Sequence, residues 1–197
     1  TGAFTIFQSR TDTAFSPYND FQNIVFEPDG SLWLSSMGGG LVRFDPESER
    51  FHHFLSDPAD SSSIYSNFVE RIFRDSKGRL WVGYNYTRNL NQLGLFNPET
   101  GKCRPVDFQF LQPLVSPFVL QIKDIIEDQS GMLWLACHQT GVLTFSEEKN
   151  VFRSLQHDPD NPNTLAGNNA CFFSETPDSL IWIANCERGL SRWHPGT

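Results

Sequence analysis

The sequence lacks the features that mark nucleic-acid-binding, membrane-spanning and metal-binding proteins. It has 15 Lys and Arg against 23 Asp and Glu, a net charge of −8, and no cluster of basic residues. Because phosphate binding needs a basic face, we expect no nucleic-acid partner. No apolar run approaches the roughly 20 residues of a membrane-spanning helix, so we expect no membrane insertion by this segment. The five histidines show no metal-ligand spacing, and neither a metal nor another cofactor is expected.

The sequence also lacks an initiator methionine and begins at Thr1. We interpret it as a segment of a longer protein, in which any targeting sequence or membrane span lies outside the segment. The cysteines number only four and contain no C-x-x-C pair, which argues against a zinc site. We interpret them as small buried hydrophobic residues. The alternative is a disulfide between Cys137 and Cys186, which follow equivalent tryptophans by three and four residues.

What the sequence does contain is a unit that occurs four times. It reads Gly30-Ser31-Leu32-Trp33, and related units end at Trp81, Trp134 and Trp182. The four tryptophans are 48, 53 and 48 residues apart, a period that is typical of propellers, solenoids and arrays. In the fourth unit Ser179 stands where the others have glycine, so we expect its first hairpin to differ locally.

Each repeat reads as four short strands separated by tight turns. Alternating apolar residues and Gly-containing turns predict an antiparallel meander. The predicted fold is therefore all-β, a β-propeller of four-stranded antiparallel blades spanning 1–197 as one segment. The blades are expected at about 20–55, 67–107, 119–155 and 169–197. The fourth repeat lacks a last strand, and residues 2–7 have the alternation of a strand that could complete it.

The repeated tryptophans and acids are interpreted as structural. Leu and Trp of each unit lie on opposite faces of one strand, where a large aromatic fills the layer between sheets. Asp75, Asp128 and Glu27 precede their tryptophans by six residues and resemble a catalytic series. An acid at the start of a Gly hairpin usually caps the turn by accepting backbone N–H groups, which is the interpretation we adopt.

The pattern Asp-x-x-Gly-x-Leu-Trp, followed by Gly-Leu-x-x-Phe-Asp-Pro and by inter-repeat segments such as 157–168, resembles the two-component regulator propeller repeat. The resemblance implies part of a larger ring, typically of seven blades. It also implies the periplasmic sensor region of a bacterial hybrid two-component sensor histidine kinase, with carbohydrate-derived ligands. Four repeats alone leave two arrangements open: the four blades close on themselves, or they are a part of such a ring.

One hairpin departs from the repeat. The glycine that opens the third strand follows the tryptophan by seven positions in three repeats, but Gly94 follows Trp81 by thirteen. Loops on a repeated scaffold often carry function, and this one offers aromatic and amide groups suited to sugars. The alternative is a neutral insertion that packs on its own blade or on a partner domain. If the lengthened loop is functional, it and the equivalent loops of the other repeats form a ligand-binding rim. The predicted rim residues are Tyr84, Tyr86, Arg88, His138, Gln139, Asn185 and Arg188.

The leading functional hypothesis is a ligand-sensing module without catalysis of its own. Its expected partners are an oligosaccharide, neighbouring blades or domains of the same chain, and a second copy of the parent ectodomain. One alternative is a propeller lyase or glycoside hydrolase acting on polysaccharide. Hydrolysis would need two carboxylates about 5–10 Å apart in one cleft, whereas the rim segments offer only Glu187. The other alternative is a scaffold for protein contacts.

Overall fold

The protein is a β-propeller array of four consecutive blades. The computed structural model describes residues 2–9, 19–85, 92–106, 121–146, 148–149 and 151–194. These residues form fifteen strands in four antiparallel sheets, one sheet per repeat, which confirms the predicted fold class. No helix in the described ranges is long and apolar enough to cross a membrane.

Each of the first three blades is a four-stranded meander in sequence order. The first consists of β1 (Phe21–Phe26), β2 (Leu32–Ser36), β3 (Gly40–Asp45) and β4 (Arg50–Phe54). The second consists of β5 (Val69–Arg74), β6 (Leu80–Tyr84), β7 (Leu93–Asn97) and β8 (Lys102–Pro105). The third consists of β9 (Gln121–Glu127), β10 (Leu133–His138), β11 (Gly141–Ser146) and β12 (Val151–Leu155). The fourth has three strands among the described residues, β13 (Ala170–Glu175), β14 (Ile181–Asn185) and β15 (Gly189–Trp193).

The first strand of each blade is the innermost strand of the array. Strand β1 contacts β5, β5 contacts β9, and β9 contacts β13. Each later strand of a blade lies farther from this series, because every sheet is ordered as its strands follow in the chain. The starts of the inner strands are therefore brought together, whatever their distance in the sequence.

Three of the four repeated tryptophans fill the layers between blades, as predicted, whereas Trp182 is only partly buried. Trp33, Trp81 and Trp134 are each 1% exposed. Trp33 packs edge-on against Phe96 of the second blade, with ring centroids 5.5 Å apart. Trp134 packs in the same way against Trp193 of the fourth blade at 4.8 Å. Trp193 thus takes the place that Phe96 holds in the second blade. Replacing one of the buried tryptophans with alanine would lower the unfolding free energy by about 3–5 kcal/mol.

The acids before the tryptophans cap the hairpin turns in two of the three cases. Asp75 Oδ1 accepts backbone N–H groups of Lys77 and Arg79 at 3.0 and 2.9 Å, and Asp128 Oδ1 is bonded in the same way in the third blade. The prediction that Glu27 caps its turn is wrong, because the Glu27 carboxylate forms an ion pair with Arg74 of the next blade. In the first blade Asp29 caps the turn, because its Oδ1 accepts the Ser31 N–H at 2.9 Å.

The turn of the fourth repeat keeps its shape without glycine. Gly131 has a φ of 80°, and Ser179 in the same position has a φ of 64°. The Ser179 N–H donates to the Thr176 carbonyl at 2.9 Å, as the Gly131 N–H donates to Asp128 at 2.8 Å. The prediction that this hairpin differs locally is therefore wrong for its backbone. The hairpin forms with Ser179, a non-glycine residue, in the left-handed region.

Residues 2–7 do not complete the fourth blade, contrary to the prediction. Phe7 packs against Phe44 of the first blade at 5.1 Å, as Phe54 packs against Phe96 at 4.9 Å. The Ser9 N–H donates to Asn19 Oδ1 at 2.7 Å, a bond that recurs between the first and second blades. The segment therefore lies where the last strand of a preceding blade would lie, because its contacts are those of a fourth strand with the next blade.

Candidate functional site

The loops between the second and third strands lie on one face of the array, next to the segments that join the blades. This follows from the strand register, in which the end of each second strand pairs with the start of the inner strand. Ser36 pairs with Phe21, and Tyr84 pairs with Val69. Asn185 pairs with Ala170 in the same way in the fourth blade. We call this side of the array the loop face.

Every inner strand carries an irregularity near its start on the loop face, at the second residue of β1, β5 and β13 and at the third residue of β9. The register shifts there in all four blades, so that one residue is left without a partner in the ladder. Such bulges redirect a side chain at the edge of a sheet. The four residues at this position are Gln22, Glu70, Lys123 and Cys171.

In two blades the bulge residue is tied to the first residue of the neighbouring loop. Asn85 Nδ2 donates to the Glu70 carboxylate at 2.6 Å. In the fourth blade the same two positions hold Cys171 and Cys186, which form a disulfide with a Cα–Cα distance of 6.1 Å. In these two blades the first residue of the loop is therefore bonded to the inner strand, and this bond fixes the position of the loop on the loop face.

Ion pairs join the inner strands of the second and third blades. Glu70 Oε1 lies 2.8 Å from Lys123 Nζ, and Arg71 Nε lies 3.8 Å from Asp124 Oδ1. Burial raises the pKa of Asp124, while the Phe173 N–H and the Arg71 charge oppose that rise. The Asp124 carboxylate is therefore engaged by a neighbouring backbone and a cation, and it stabilises the inter-blade contact.

A second series of hydrogen bonds connects each inner strand to the next one. Asn23 Oδ1 accepts the Ile72 N–H at 3.1 Å, and Asp124 Oδ2 accepts the Phe173 N–H at 2.9 Å. Arg71 holds the equivalent position in the second blade and donates to the Lys123 carbonyl. The loop face therefore rests on inner strands that are joined from blade to blade.

The structure buries two of the predicted rim residues. Tyr84 is 1% exposed, and its hydroxyl lies 3.3 Å from Cys103 Sγ. Burial raises the pKa of Tyr84 well above its ordinary value. Asn185 is also buried, and its Nδ2 donates to the Ile183 carbonyl and to Ser191 Oγ. Both side chains pack within their blades, because they end the second strand and do not belong to the loop.

Three predicted rim residues lie on the loop face. His138 is half-buried at the end of β10, while Gln139 and Arg188 are exposed. The Arg188 stem packs on Gly167, where an added Cβ would lie 2.8 Å from Arg188 Cγ. The remaining two, Tyr86 and Arg88, fall outside the described residues.

Sequence reasoning missed Glu70, Lys123, Asn85 and the disulfide. The sequence places Gln22, Glu70, Lys123 and Cys171 near the starts of the inner strands. Their equivalence depends on a bulge in each strand, and the sequence pattern does not predict that bulge. The disulfide corrects the cysteine prediction, since Cys171 and Cys186 belong to one blade. Cys103 and Cys137 are buried free thiols, as expected.

The chain is similar in sequence to a histidine kinase and similar in fold to several solved structures. The chain is 29% identical over 171 residues to histidine kinase P4 of Formosa agariphila; the match covers 87% of this chain and 12% of that relative. Its fold matches the extracellular domain of BT3049 from B. thetaiotaomicron, assigned to the hybrid two component systems, with a TM-score of 0.75 and 20% identity over 96% of this chain and 24% of the other. It also matches an inactive virginiamycin B lyase from Staphylococcus aureus, with a TM-score of 0.56 and 14% identity over 88% of this chain and 55% of the lyase.

These similarities support different conclusions about the chain. At 20% and 14% identity the two structures share the fold with this chain. The chain spans about an eighth of the length of the kinase it matches. Residues 64–86, which include the second Leu-Trp unit, match the family model of the two component regulator propeller. The resemblance to this repeat that the sequence indicates is therefore confirmed over residues 64–86.

Proposed function

We propose that this chain is a ligand-sensing segment in the extracytoplasmic region of a bacterial two-component sensor histidine kinase. It contributes blades and a loop face to a larger propeller and has no catalysis of its own. The observation that carries the proposal is the loop face itself. Exposed polar groups such as Gln139 and Arg188 lie there, on loops next to inner strands that are joined from blade to blade.

Support for the sensor role comes from the matched repeat and from the kinds of protein that resemble the chain. The regulator propeller repeat lies in the chain itself. A histidine kinase and the extracellular domain of a hybrid two component system are among its relatives. The disulfide supports a periplasmic location, since such bonds persist in oxidising compartments.

The ligand we propose is carbohydrate-derived. The loop that follows Tyr84 is six residues longer than its equivalents and contains Tyr86 and Arg88. Aromatic rings, amides and guanidinium groups recognise sugars by stacking and by hydrogen bonds to hydroxyls. With His138, Gln139 and Arg188 they would form one polar surface on the loop face. Signalling then requires that the ligand bind two states of the ectodomain with different affinity.

The proposal is tested by thermal-shift measurements on the purified chain with a panel of oligosaccharides. We expect at least one to raise the melting temperature, and we expect Arg188→Ala to remove most of that shift. Arg153→Ala is the matched control, because Arg153 is also exposed but lies on β12, away from the loop face. A panel that leaves the melting temperature unchanged, or a shift that both variants retain, would contradict the proposal.

An enzyme on the same fold is the rival, and the lyase likeness is the observation that favours it. Glu187, the acid of the rim segments, is exposed with a φ of 75°. The inner-strand acids Glu70 and Asp124 are engaged by Lys123 and Arg71. Cleavage of an oligosaccharide by the purified chain, lost in Glu187→Gln, would replace the sensor proposal with a catalytic one.

A further inference from the structure

One phenylalanine is exposed in the middle of the array. Phe68 is 43% exposed, whereas the other strongly exposed phenylalanines of the described ranges lie on the first blade, on the fourth blade or in residues 2–7. Phe68 is the last residue of the segment that joins the first and second blades, directly before β5. Single exposed apolar side chains are common on protein surfaces, so the surroundings of Phe68 have to distinguish it.

Phe68 lies on the loop face between the loops of the first and second blades. It forms an antiparallel bridge with Met37, which begins the loop of the first blade. The Phe68 carbonyl accepts the N–H of Asn85, which begins the loop of the second blade, at 2.9 Å. The first of these loops continues with Gly38 and Gly39, and the second is the lengthened one. The ring therefore lies between a short loop with small side chains and the longest of the four loops.

Hydrogen bonds fix the backbone that carries the ring. The Phe68 N–H donates to Ser66 Oγ at 3.1 Å. The carbonyl of the preceding residue, Asn67, accepts the N–H groups of Gly38 and Gly40. A side chain on a fixed backbone loses little conformational freedom when it binds a ligand, and such preorganisation increases affinity.

The repeat does not need an aromatic residue at this position. The equivalent residues, directly before β1 and β13, are Asp20 and Asn169. Their carbonyls accept the N–H groups of Met37 and Cys186 at 3.0 and 2.8 Å, as the Phe68 carbonyl accepts that of the first loop residue in its own blade. The backbone bond thus forms with polar side chains as well. The second blade therefore combines two departures from the repeat at one place, an exposed aromatic ring and a lengthened loop.

Polar groups adjoin Phe68 where the lengthened loop begins. Asn85 is 6% exposed, and its Nδ2 donates to the Glu70 carboxylate, which also accepts a bond from Lys123 Nζ at 2.8 Å. Asn85 Oδ1 is buried and accepts no hydrogen bond from the part of the chain that the structure describes. A buried acceptor without a donor is unfavourable, and a hydroxyl group of a ligand supplies such a donor.

We propose that Phe68 is the aromatic platform of the ligand site, on which a pyranose ring of a carbohydrate stacks through its C–H face. Hydroxyl groups at the edge of the sugar bond to Asn85 Oδ1 and to the lengthened loop. An aromatic ring beside polar groups suits such an amphipathic ligand. The inference rests on the proposed function and assigns sugar binding to the site between the first and second blades.

A protein partner fits this site less well than a sugar. The core of a protein interface is a continuous apolar patch. The described residues next to the Phe68 ring position include Gly38, Asn67 and Asn85, which do not extend the ring into such a patch. One flat ring with polar neighbours matches a single sugar unit instead.

Isothermal titration calorimetry on the purified chain tests the assignment. The probes are neutral hexasaccharides of glucose, mannose and galactose, and hexasaccharides of the corresponding uronic acids. Phe68→Asn introduces the side chain that Asn169 has at the equivalent position, so the backbone bond to Asn85 is retained. We expect Phe68→Asn to bind the responding probe about tenfold more weakly, and Phe68→Trp, which keeps an aromatic face, to bind it as the unaltered chain does. Phe26→Asn is the matched control, because Phe26 is also exposed but ends β1 away from the loop face.

Saturation-transfer NMR separates direct contact with the sugar from an indirect effect on the fold. Saturating the aromatic protons of the unaltered chain should transfer most strongly to the C–H protons of one sugar ring, and Phe68→Asn should remove that transfer. Binding that Phe68→Asn retains, or a loss that Phe26→Asn shares, would overturn the role of Phe68 and leave the carbohydrate proposal in place. If none of the probes binds the unaltered chain, both proposals are wrong.

Discussion

Asp75 Oδ2 accepts a hydrogen bond from the indole nitrogen of Trp81 at 2.9 Å. The same bond joins Asp128 and Trp134 at 2.8 Å. One carboxylate therefore caps a turn with one oxygen and holds the core tryptophan with the other. The acid and the tryptophan of the repeat form a structural unit, which explains their fixed spacing of six residues.

This unit should make stability depend on pH at the acidic end. Burial raises the pKa of Asp75, but hydrogen bonds from Arg79 and Trp81 outweigh burial and hold it below its ordinary value of 3.8. A lowered folded-state pKa gives stability that is present above 3.8 and lost as the pH falls through the folded-state pKa. Asp75→Asn should therefore flatten the loss of unfolding free energy below pH 4 in urea titrations. Glu99→Gln, in an exposed turn, is the control, and equal flattening in both would contradict the prediction.

Replacing Ser179 with glycine should stabilise the protein. Ser179 occupies the left-handed region, which costs a residue with a side chain about 1 kcal/mol. We expect Ser179→Gly to raise the unfolding free energy by about 0.5–1 kcal/mol in urea denaturation. The matched variant Gly131→Ser places the side chain in the equivalent turn and should lower it by a similar amount. Effects of the same sign at both sites would refute this account.

The disulfide should contribute substantially to the stability of the fourth blade. Cys171 and Cys186 are 15 residues apart, and closing a loop of that size stabilises a chain by about 3 kcal/mol. We expect the double variant Cys171→Ser, Cys186→Ser to unfold at lower urea concentration and to become insensitive to dithiothreitol. Cys103→Ser should keep the response to dithiothreitol, since Cys103 is a free thiol. A double variant as stable as the unaltered chain would disprove the prediction.

The ion pair between Glu70 and Lys123 should couple the second and third blades. Both side chains are partly exposed, at 18% and 28%, so we expect a coupling energy of about 0.5–1 kcal/mol in a double-mutant cycle with Glu70→Gln and Lys123→Met. The coupling should shrink in 1 M salt. A cycle with Asp29 and Arg43, an exposed pair within one blade, should give a smaller value.

The fold could be predicted from the sequence because its determinants are local and repeated. Gly30 predicts a turn and Trp33 predicts a core position, and the later copies of the unit predict the same local structure. Ser179 shows the limit of such reasoning: hydrogen bonds across the turn keep the hairpin closed although the preferred residue is missing.

The candidate site could be predicted only in part. Counting along the loop predicts that Tyr84 lies on the rim, yet its side chain points into the blade and contacts Cys103. The pairing of Cys171 with Cys186 depends on a bulge that shifts the register by one residue, which spacing alone does not reveal. The alternation of residues 2–7 predicts a strand, but these residues form none, and their position is set by contacts such as that of Phe7 with Phe44.

The bonds at Asn19, Asn67 and Asn168 have a consequence for how such a protein can diversify. Each asparagine accepts an N–H from the end of the preceding blade at 2.6–2.7 Å, so the step from blade to blade is set at these positions. On the loop face, the N–H groups of Gly38 and Gly40 donate to the Asn67 carbonyl at 2.9 and 3.0 Å, and the Gly141 N–H donates to the Asn168 carbonyl at 2.7 Å. The ends of these loops are therefore held at the same asparagines. New recognition surfaces can evolve by insertion between such anchored ends, as in the lengthened loop after Tyr84, while the frame that carries them keeps its geometry.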